Sequence, residues 1–509
     1  MPQEKTIADI TAPEFDKNHA RWVRTKKLVE ADDVHELVMD LVPGNTGSDR
    51  GERTVLPGAA GTEANREIVY RTSTETVNDR FKRRAVYTNI VGSTLEAMLG
   101  LAFIKPPDME IDPTLAPMLE NADGTGLTLE QLAMETLGGV LIYGRVGLLV
   151  DFPATDDGDE ENYPIIGYHP AINIRDWRLK RRGARMINSR IVLSTFDRED
   201  DLEGKVVEKR VELALDDNGT YYQRTWHMVD KKWIPGEAVY PTDYNGNAFD
   251  EIPWQWIGAD TNSASIPTSP LRTIADINLG HLNSSALYED SVYICGQPQP
   301  FVTGLPDHIR EDLLSSGFRI GSGETLLLPE GTDFGIAQAQ PNTLARESME
   351  DKVKQMITLG ARLLDPTKRV KTATEIQSQD IQRNSALSLA SQNVSEGLSR
   401  QLDVASMFST PTRNKQNSFT IDRSYTIAKP SADQIIQYTT AYLQGGIALQ
   451  DLYKFMVEGG VTKLEYNEWK GDLRPQPTMV DPATKEPNTG QPNPTDLHDK
   501  SKPDPTPRS

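Results

Sequence analysis

The chain has 509 residues, 37% of them hydrophobic and 25% charged, enough for two or three packed units around a large core. Its net charge is −20, with 74 acidic against 54 basic residues, which argues against a conventional nucleic-acid binder with a basic footprint. No apolar run reaches the roughly 18–20 residues that a bilayer span needs, so no membrane partner is expected; the closest, 137–150, is interrupted by Gly138, Gly139, Gly144 and the charged Arg145. The single cysteine, Cys295, excludes an intrachain disulfide framework and suits a reducing compartment. The start, with Gln3, Glu4 and Lys5, shows no basic segment leading into an apolar one, so no secretory signal is expected.

Residues 1–75 mix a helical stretch, Phe15 to Val38, with Gly- and Thr-rich segments and receive no role. From Val77 a helix-period stripe follows, with Phe81, Ala85, Thr88, Val91, Leu95, Met98 and Ala102 at steps of three and four. Lys105-Pro106-Pro107 stops it. Thr128 with Gln131 predicts a capping box and Leu127 with Leu132 a hydrophobic staple. That helix ends at Tyr143-Gly144, and Gly147 to Phe152 predicts a buried strand. Asp156 to Glu161 is an acidic turn whose spacing does not match a calcium loop. Residues 163–257 alternate as strands do, at Arg190 to Phe196, Val206 to Leu215 and Tyr221 to Val229. The N-terminal half is therefore α+β.

The second half is helix-rich. Ser269-Pro270 predicts an N-cap followed by proline at the first helical position, opening a long helix with Leu271, Ala275, Leu279, Leu282, Ala286 and Tyr293 on one stripe. Residues 294–341 are broken by glycines and prolines, with strand-like runs at Phe301 to Thr303 and Thr325 to Leu328 and a short helix near Asp307 to Leu314. A second long helix is predicted from Thr343 to Leu364, and Asp365 to Lys371 forms a compact break. The capping box Thr372 to Glu375 starts a third long helix, with Leu387, Ala390, Val394, Leu398, Leu402 and Ala405 along it. Its polar face (Gln377, Gln379, Gln382, Asn384, Gln392, Asn393) is expected against water, in a wet channel or in bulk solvent. A strand-like stretch, Ser418 to Ala428, precedes short helices in Ser431 to Lys470. Nine of the 33 prolines fall after residue 474, so that tail is expected to be disordered.

Catalytic signatures do not emerge. There is no phosphate-cradling Gly-x-x-x-x-Gly-Lys-Ser/Thr loop. Gly321-Ser322-Gly323 lacks the strand–helix setting of a nucleophile elbow. The seven histidines are scattered and suggest no metal set. Neither an enzyme nor a cofactor is expected.

Three segments resemble portal proteins of tailed double-stranded DNA bacteriophages: Leu127 to Pro153, Tyr168 to Arg178 and Ser269 to Gly304. The order long helix, irregular insert, long helix, short loop, polar helix is similar to the stem, clip, stem, tunnel loop and crown-directed helix of that family. The resemblance implies a helix-rich α+β portal fold. Its wing would be 76–267, stem helices 268–293 and 342–364, clip 294–341, tunnel loop 365–372, a long helix 373–410 toward the crown, crown helices 411–472 and the Pro-rich tail 473–509. It further implies a ring, usually a dodecamer, assembled in the host cytoplasm and placed at one capsid vertex of the virion. Such a ring packages and ejects double-stranded DNA, docks the terminase large subunit and later the head–tail adaptor, and meets major capsid and scaffolding proteins. Another ring-forming head–tail connector or tail component is the alternative.

On this resemblance the acidic balance becomes compatible with DNA, since tight phosphate contacts would have to break as a duplex advances. Lys368, Arg369 and Lys371 either touch passing phosphates from the tunnel loop or pair with Asp365 and Glu375 at the helix ends. Asp307, Glu311, Asp312 and Phe318 of the clip are candidates for partner contact, against simple solvation as the other reading. Lys180, Arg181 and Arg182, like Lys82, Arg83 and Arg84, are expected on solvated faces or in intersubunit salt bridges.

Overall fold

The computed structural model describes residues 6–41, 77–152, 162–198, 206–296, 299–307, 309, 330–337, 343–364, 386–411, 413, 416–423, 425, 432–458, 462, 466, 469 and 470. Two compact units divide the chain, Met1–Thr426 and Ile427–Ser509. The helices described in the first are α1 (Pro13–Glu30), α2 (Val77–Arg84), α3 (Ile90–Ala102), α4 (Leu129–Tyr143), α5 (Arg272–Cys295), α6 (Thr343–Leu364) and α7 (Ala386–Ser409). Its strands are β1 (Asp108–Glu110), β2 (Arg145–Asp151), β3 (Ile165–Pro170), β4 (Ile174–Arg182), β5 (Arg185–Arg198), β6 (Val206–Leu215), β7 (Tyr221–Val229), β8 (Lys232–Val239), β9 (Trp254–Gly258), β10 (Gln299–Thr303), β11 (Asp333–Ala337) and β12 (Ser418–Thr420). The second unit holds α8 (Ala432–Leu443) and α9 (Leu449–Glu458), where Tyr438 and Phe455 stack face to face at 3.8 Å.

Helix α4 and strand β2 are the centre of the larger unit. The Thr128 hydroxyl accepts from Gln131 N while the Gln131 amide oxygen accepts from Thr128 N, closing the predicted capping box. Gly144 ends α4 with φ +84 and sits against the Pro267 carbonyl, so no side chain fits there. Leu129, Leu132, Leu137, Val140 and Leu141 are wholly buried on α4, as are Val146 and Leu148 on β2. Burying side chains of this size stabilises by about 1.5–3 kcal/mol each. Antiparallel strands β3 and β9 flank β2, and β4 to β8 form a separate antiparallel meander in sequence order. At Gly147 a Cβ would collide with the indole of Trp254, so glycine is what lets that ring lie flat on the central strand.

Several expectations change. The helix predicted from Val77 is two helices, because residues 85–89 are drawn out of helical pairing by side chains of α5, described below. Its stripe divides accordingly: Phe81 and Ala85 pack with Leu282 and Ala286, while Val91, Leu95, Met98 and Ala102 join the main core, and Thr88 is exposed. Ser269 does not cap α5 with its side chain; its hydroxyl donates to the Leu141 carbonyl at 2.8 Å and ties the start of α5 to α4. Strand β11 was not anticipated, since Gly335 weakens its β signal; the Phe301 ring of β10 covers that glycine across the ladder.

Helix α7 corrects the largest expectation. Of the predicted polar face Asn393 is buried and Gln392 half-buried, and Ser388, Ser391, Ser395, Gln401 and Ser406 of the same helix are buried too, while Glu396 and Arg400 face water. The Gln401 amide donates to the Leu148 carbonyl at 2.7 Å, and Asn393 to the Gly258 carbonyl at 2.7 Å. Ser395 returns its proton to its own helix at Ser391 O and accepts from Ile421 N, as Ser399 accepts from Phe419 N. Short polar side chains here satisfy strand ends and the β12 segment, so burial costs little. Residues 377, 379, 382 and 384 lie outside the described residues, as do the acidic turn, the capping box at Thr372 and the tail after residue 470.

Candidate functional surface: the α5–α6 hairpin and its anchorage

Helix α5 has 24 residues and α6 has 22, or about 36 and 33 Å at 1.5 Å per residue. They run antiparallel. Lys352 of α6 donates to Ser284 of α5 at 2.9 Å, and beyond the helix ends Gln299 pairs with Ala337 and Thr303 with Asp333. The hairpin of helices therefore carries the β10–β11 ribbon at one end. Met356 is fully buried, the Lys352 stem lies over Gly280, and Gly360 rests against Thr94 of α3. Leu344 and Ile357 on α6 are 74% and 62% exposed, and Leu287, Val292 and Tyr293 on α5 are also exposed.

The base of the hairpin is fixed by side chains of α5 that hydrogen-bond to other segments' backbone. Asn278, fully buried, accepts from Ile90 N at 3.1 Å and Val91 N at 3.0 Å and donates to Thr88 O at 3.0 Å. It thus caps α3 from another helix, beside the local cap in which Asn89 accepts from Gly92 N. Ser285 accepts from Val86 N at 2.7 Å, and Asn283 from Met39 N at 2.8 Å. Tyr87 donates to the Leu28 carbonyl at 2.5 Å, and Asn89 donates to that of Val29, so the end of α1 is tied to the same knot. Burial pushes the Tyr87 phenol well above its ordinary range, keeping it a donor at all relevant pH. Ion pairs add Arg24 to Asp276 and Arg84 to Asp290, each at 2.5 Å, with Arg84 also over the Tyr293 ring.

A second fixing point is Arg145, fully buried at the start of β2. Its guanidinium sits in the corner formed by the edge-to-face indoles of Trp177 and Trp256, 4.1 and 4.2 Å from their centroids, and donates to the Ala264 carbonyl in the segment leading to α5. Desolvation lowers its pKa to about 9, with Glu14 opposing, so it remains a cation at neutral pH. Its Nε and Nη2 have no hydrogen-bond partner, and the two π-faces take that role. His281, buried between the hairpin helices with an unpartnered Nδ1, has its pKa lowered by burial and by the Lys352 ammonium.

The residues singled out in the sequence are placed unevenly. Asp307 is exposed just beyond β10, whereas Glu311, Asp312, Phe318, Lys368, Arg369 and Lys371 lie outside the described residues. Of the basic runs, Lys82 meets Asp40 at 2.7 Å, and Arg182 meets Asp250 at 2.5 Å, within the chain. Asn278 and Ser285 were not anticipated, although a signal existed: with Leu271, Ala275 and Leu282 they complete a strict four-three spacing, so two polar residues sit in an apolar stripe. Among the described residues no group of three His, Cys, Asp or Glu side chains is placed to hold a metal ion, and no helix is long and apolar enough to cross a membrane.

Residues 270–409 match a family model described as a domain of unknown function, DUF4055; these are the hairpin, its ribbon and α7. No curated protein matches. Similar solved structures include the virion of a native gene transfer agent particle, 14% identical, covering 73% of this chain and 89% of that one with a TM-score of 0.36. The neck of a native gene transfer agent particle computed with C12 symmetry is 14% identical, covering 71% and 86% at 0.37. The neck of an empty particle computed with C6 symmetry is 14% identical, covering 75% and 92% at 0.38.

Proposed function

We propose that this chain is one subunit of a portal ring of a tailed double-stranded DNA phage, a structural protein of the virion that does no chemistry itself. In that role it would sit at the capsid vertex, conduct DNA during packaging and ejection, dock the terminase large subunit and later the head–tail adaptor, and contact major capsid and scaffolding proteins. The observation that carries the reading is the α5–α6 hairpin: two antiparallel helices of about 36 and 33 Å with a β-ribbon at one end, followed in sequence by residues 365–372 and α7. That order agrees with the stem, clip, stem, tunnel-loop plan inferred from the sequence resemblance. Each helix is long enough to line a channel through a capsid shell. The exposed apolar residues Leu287, Val292, Leu344 and Ile357 suit burial against a neighbouring copy by a head-to-tail contact that closes into a ring.

Sedimentation velocity tests this. The wild-type chain is expected as a large closed oligomer, and Leu344→Asp with Ile357→Asp is expected to shift it to smaller species without change in circular dichroism. A wild-type monomer at high concentration under every salt condition, or a double variant that assembles like wild type, overturns the reading. Rings that form but neither package nor retain DNA would favour a connector without a packaging role.

A further inference from the structure

The sheet β3–β2–β9 and the meander β4–β8 enclose an open cleft of about 470 Å³. Its walls are aliphatic, with Leu149 of β2, Leu193 of β5, Val211 of β6 and Val239 of β8. Two carboxylates line it. Asp151, at the end of β2 and on the same face as Leu149, accepts from Phe152 N at 2.9 Å and from the Gln223 amide at 3.4 Å. Glu237 stands on β8, two residues before Val239, which pairs with Gln223.

No lysine or arginine lines the cleft among the described residues. The opposite face of the same meander is built differently. There Asp176, 1% exposed, is met by Arg178 at 3.3 Å and Arg190 at 3.0 Å. A partly desolvated carboxylate without a counter-charge is costly, and among the described residues Asp151 has no ion-pair partner: burial raises its pKa against two hydrogen bonds that lower it. The imidazole of His169 supplies no positive charge. Its ring stacks on Trp254 at 5.5 Å, and burial lowers its pKa to about 4.

We infer that this cleft binds an organic cation on an aliphatic stem, the guanidinium or ammonium group of a partner's arginine or lysine side chain or of a free alkylamine. The head group pairs with Asp151, Glu237 adds attraction from the facing strand, and the stem lies along Leu193, Val211 and Val239. The inference is independent of the ring reading, since every group it uses lies between the two sheets of one chain.

Calorimetric titration of the full chain tests it with two probes, agmatine for a free amine and a short uncharged peptide carrying one arginine for a side chain. The same peptide with citrulline is the neutral control. Expected is saturable binding of at least one cationic probe at about millimolar Kd, with the neutral control at least about tenfold weaker. Asp151→Asn is expected to weaken binding about tenfold and Glu237→Gln less, with neither melting below the wild type, because the first removes a partly desolvated charge and the second changes an exposed side chain. Binding of agmatine alone assigns a free amine, binding of the peptide alone assigns a partner side chain, and either supports the site. No saturable binding of either probe, equal affinity for the citrulline peptide, or unchanged affinity in both variants overturns it.

Discussion

Replacing Asn278 by alanine removes the cap that α5 supplies to α3. Val91 N donates to the Asn278 oxygen, whereas Ile90 N also reaches the Thr88 carbonyl at 2.9 Å. The variant therefore leaves one buried donor unmet, at about 1–3 kcal/mol, and loses two further hydrogen bonds at about 1 kcal/mol each. The sum is about 3–5 kcal/mol, near the upper range for a single polar substitution. Amide hydrogen exchange reads this locally. If the start of α3 opens more easily by about 3 kcal/mol, exchange at Val91 quickens by roughly a hundredfold. Ser285→Ala removes one acceptor, that of Val86 N, and is expected to cost about 1–2 kcal/mol with faster exchange at Val86. Unchanged exchange at Val91 in Asn278→Ala, or a greater loss in Ser285→Ala, would refute the assignment of Asn278 as the pin between hairpin and base.

Further outcomes follow from the same geometry. Arg145→Lys keeps the charge but loses the planar guanidinium packed in the corner of Trp177 and Trp256, so it is expected to lose about 3 kcal/mol by urea unfolding and to be worse than Arg145→Met; a lysine tolerated as well as methionine contradicts this. The lowered pKa values of His169 and His281 mean that the unfolded chain binds more protons below pH 6.5. Stability from these groups is complete above about pH 7 and falls as pH drops toward 4. For His169, discounted for partial exposure, the loss between pH 7 and pH 5 is about 1 kcal/mol, and thermal melts of His169→Gln should show a smaller acid loss than wild type; an equal loss excludes His169. Lys352→Met keeps the stem over Gly280 and removes the charge beside His281, so NMR titration should show the His281 pKa moving up; no movement removes Lys352 as a cause. Ala at Lys368, Arg369 and Lys371 together should leave assembly intact and impair DNA packaging or retention, and no effect on either removes the loop's proposed role.

Legibility in the sequence followed how local the determining physics was. The α4 capping box, its Gly144 stop and the limits of α6 depend on residues within a turn of each other, and they were readable. The break at residues 85–89 was not, because Asn278 and Ser285, almost two hundred residues away, provide the competing hydrogen bonds. Polar residues on α7 were expected against water; their partners are carbonyls of β2 and β9 and the backbone around β12, which no helical periodicity reveals. Arg145 looked like an interruption of an apolar run, and only the convergence of Trp177 and Trp256 shows how the interior accepts it. Of the site, the hairpin was visible as two apolar stripes around a Gly- and Pro-rich insert, whereas its anchorage was not.

Cryo-electron microscopy of the purified full-length chain tests the central claim most directly. The account predicts closed rings with α5 and α6 of successive copies packed around a central opening wide enough for a DNA duplex. A chain that stays monomeric at high concentration in every salt condition, or rings whose opening is lined by other elements, would contradict it.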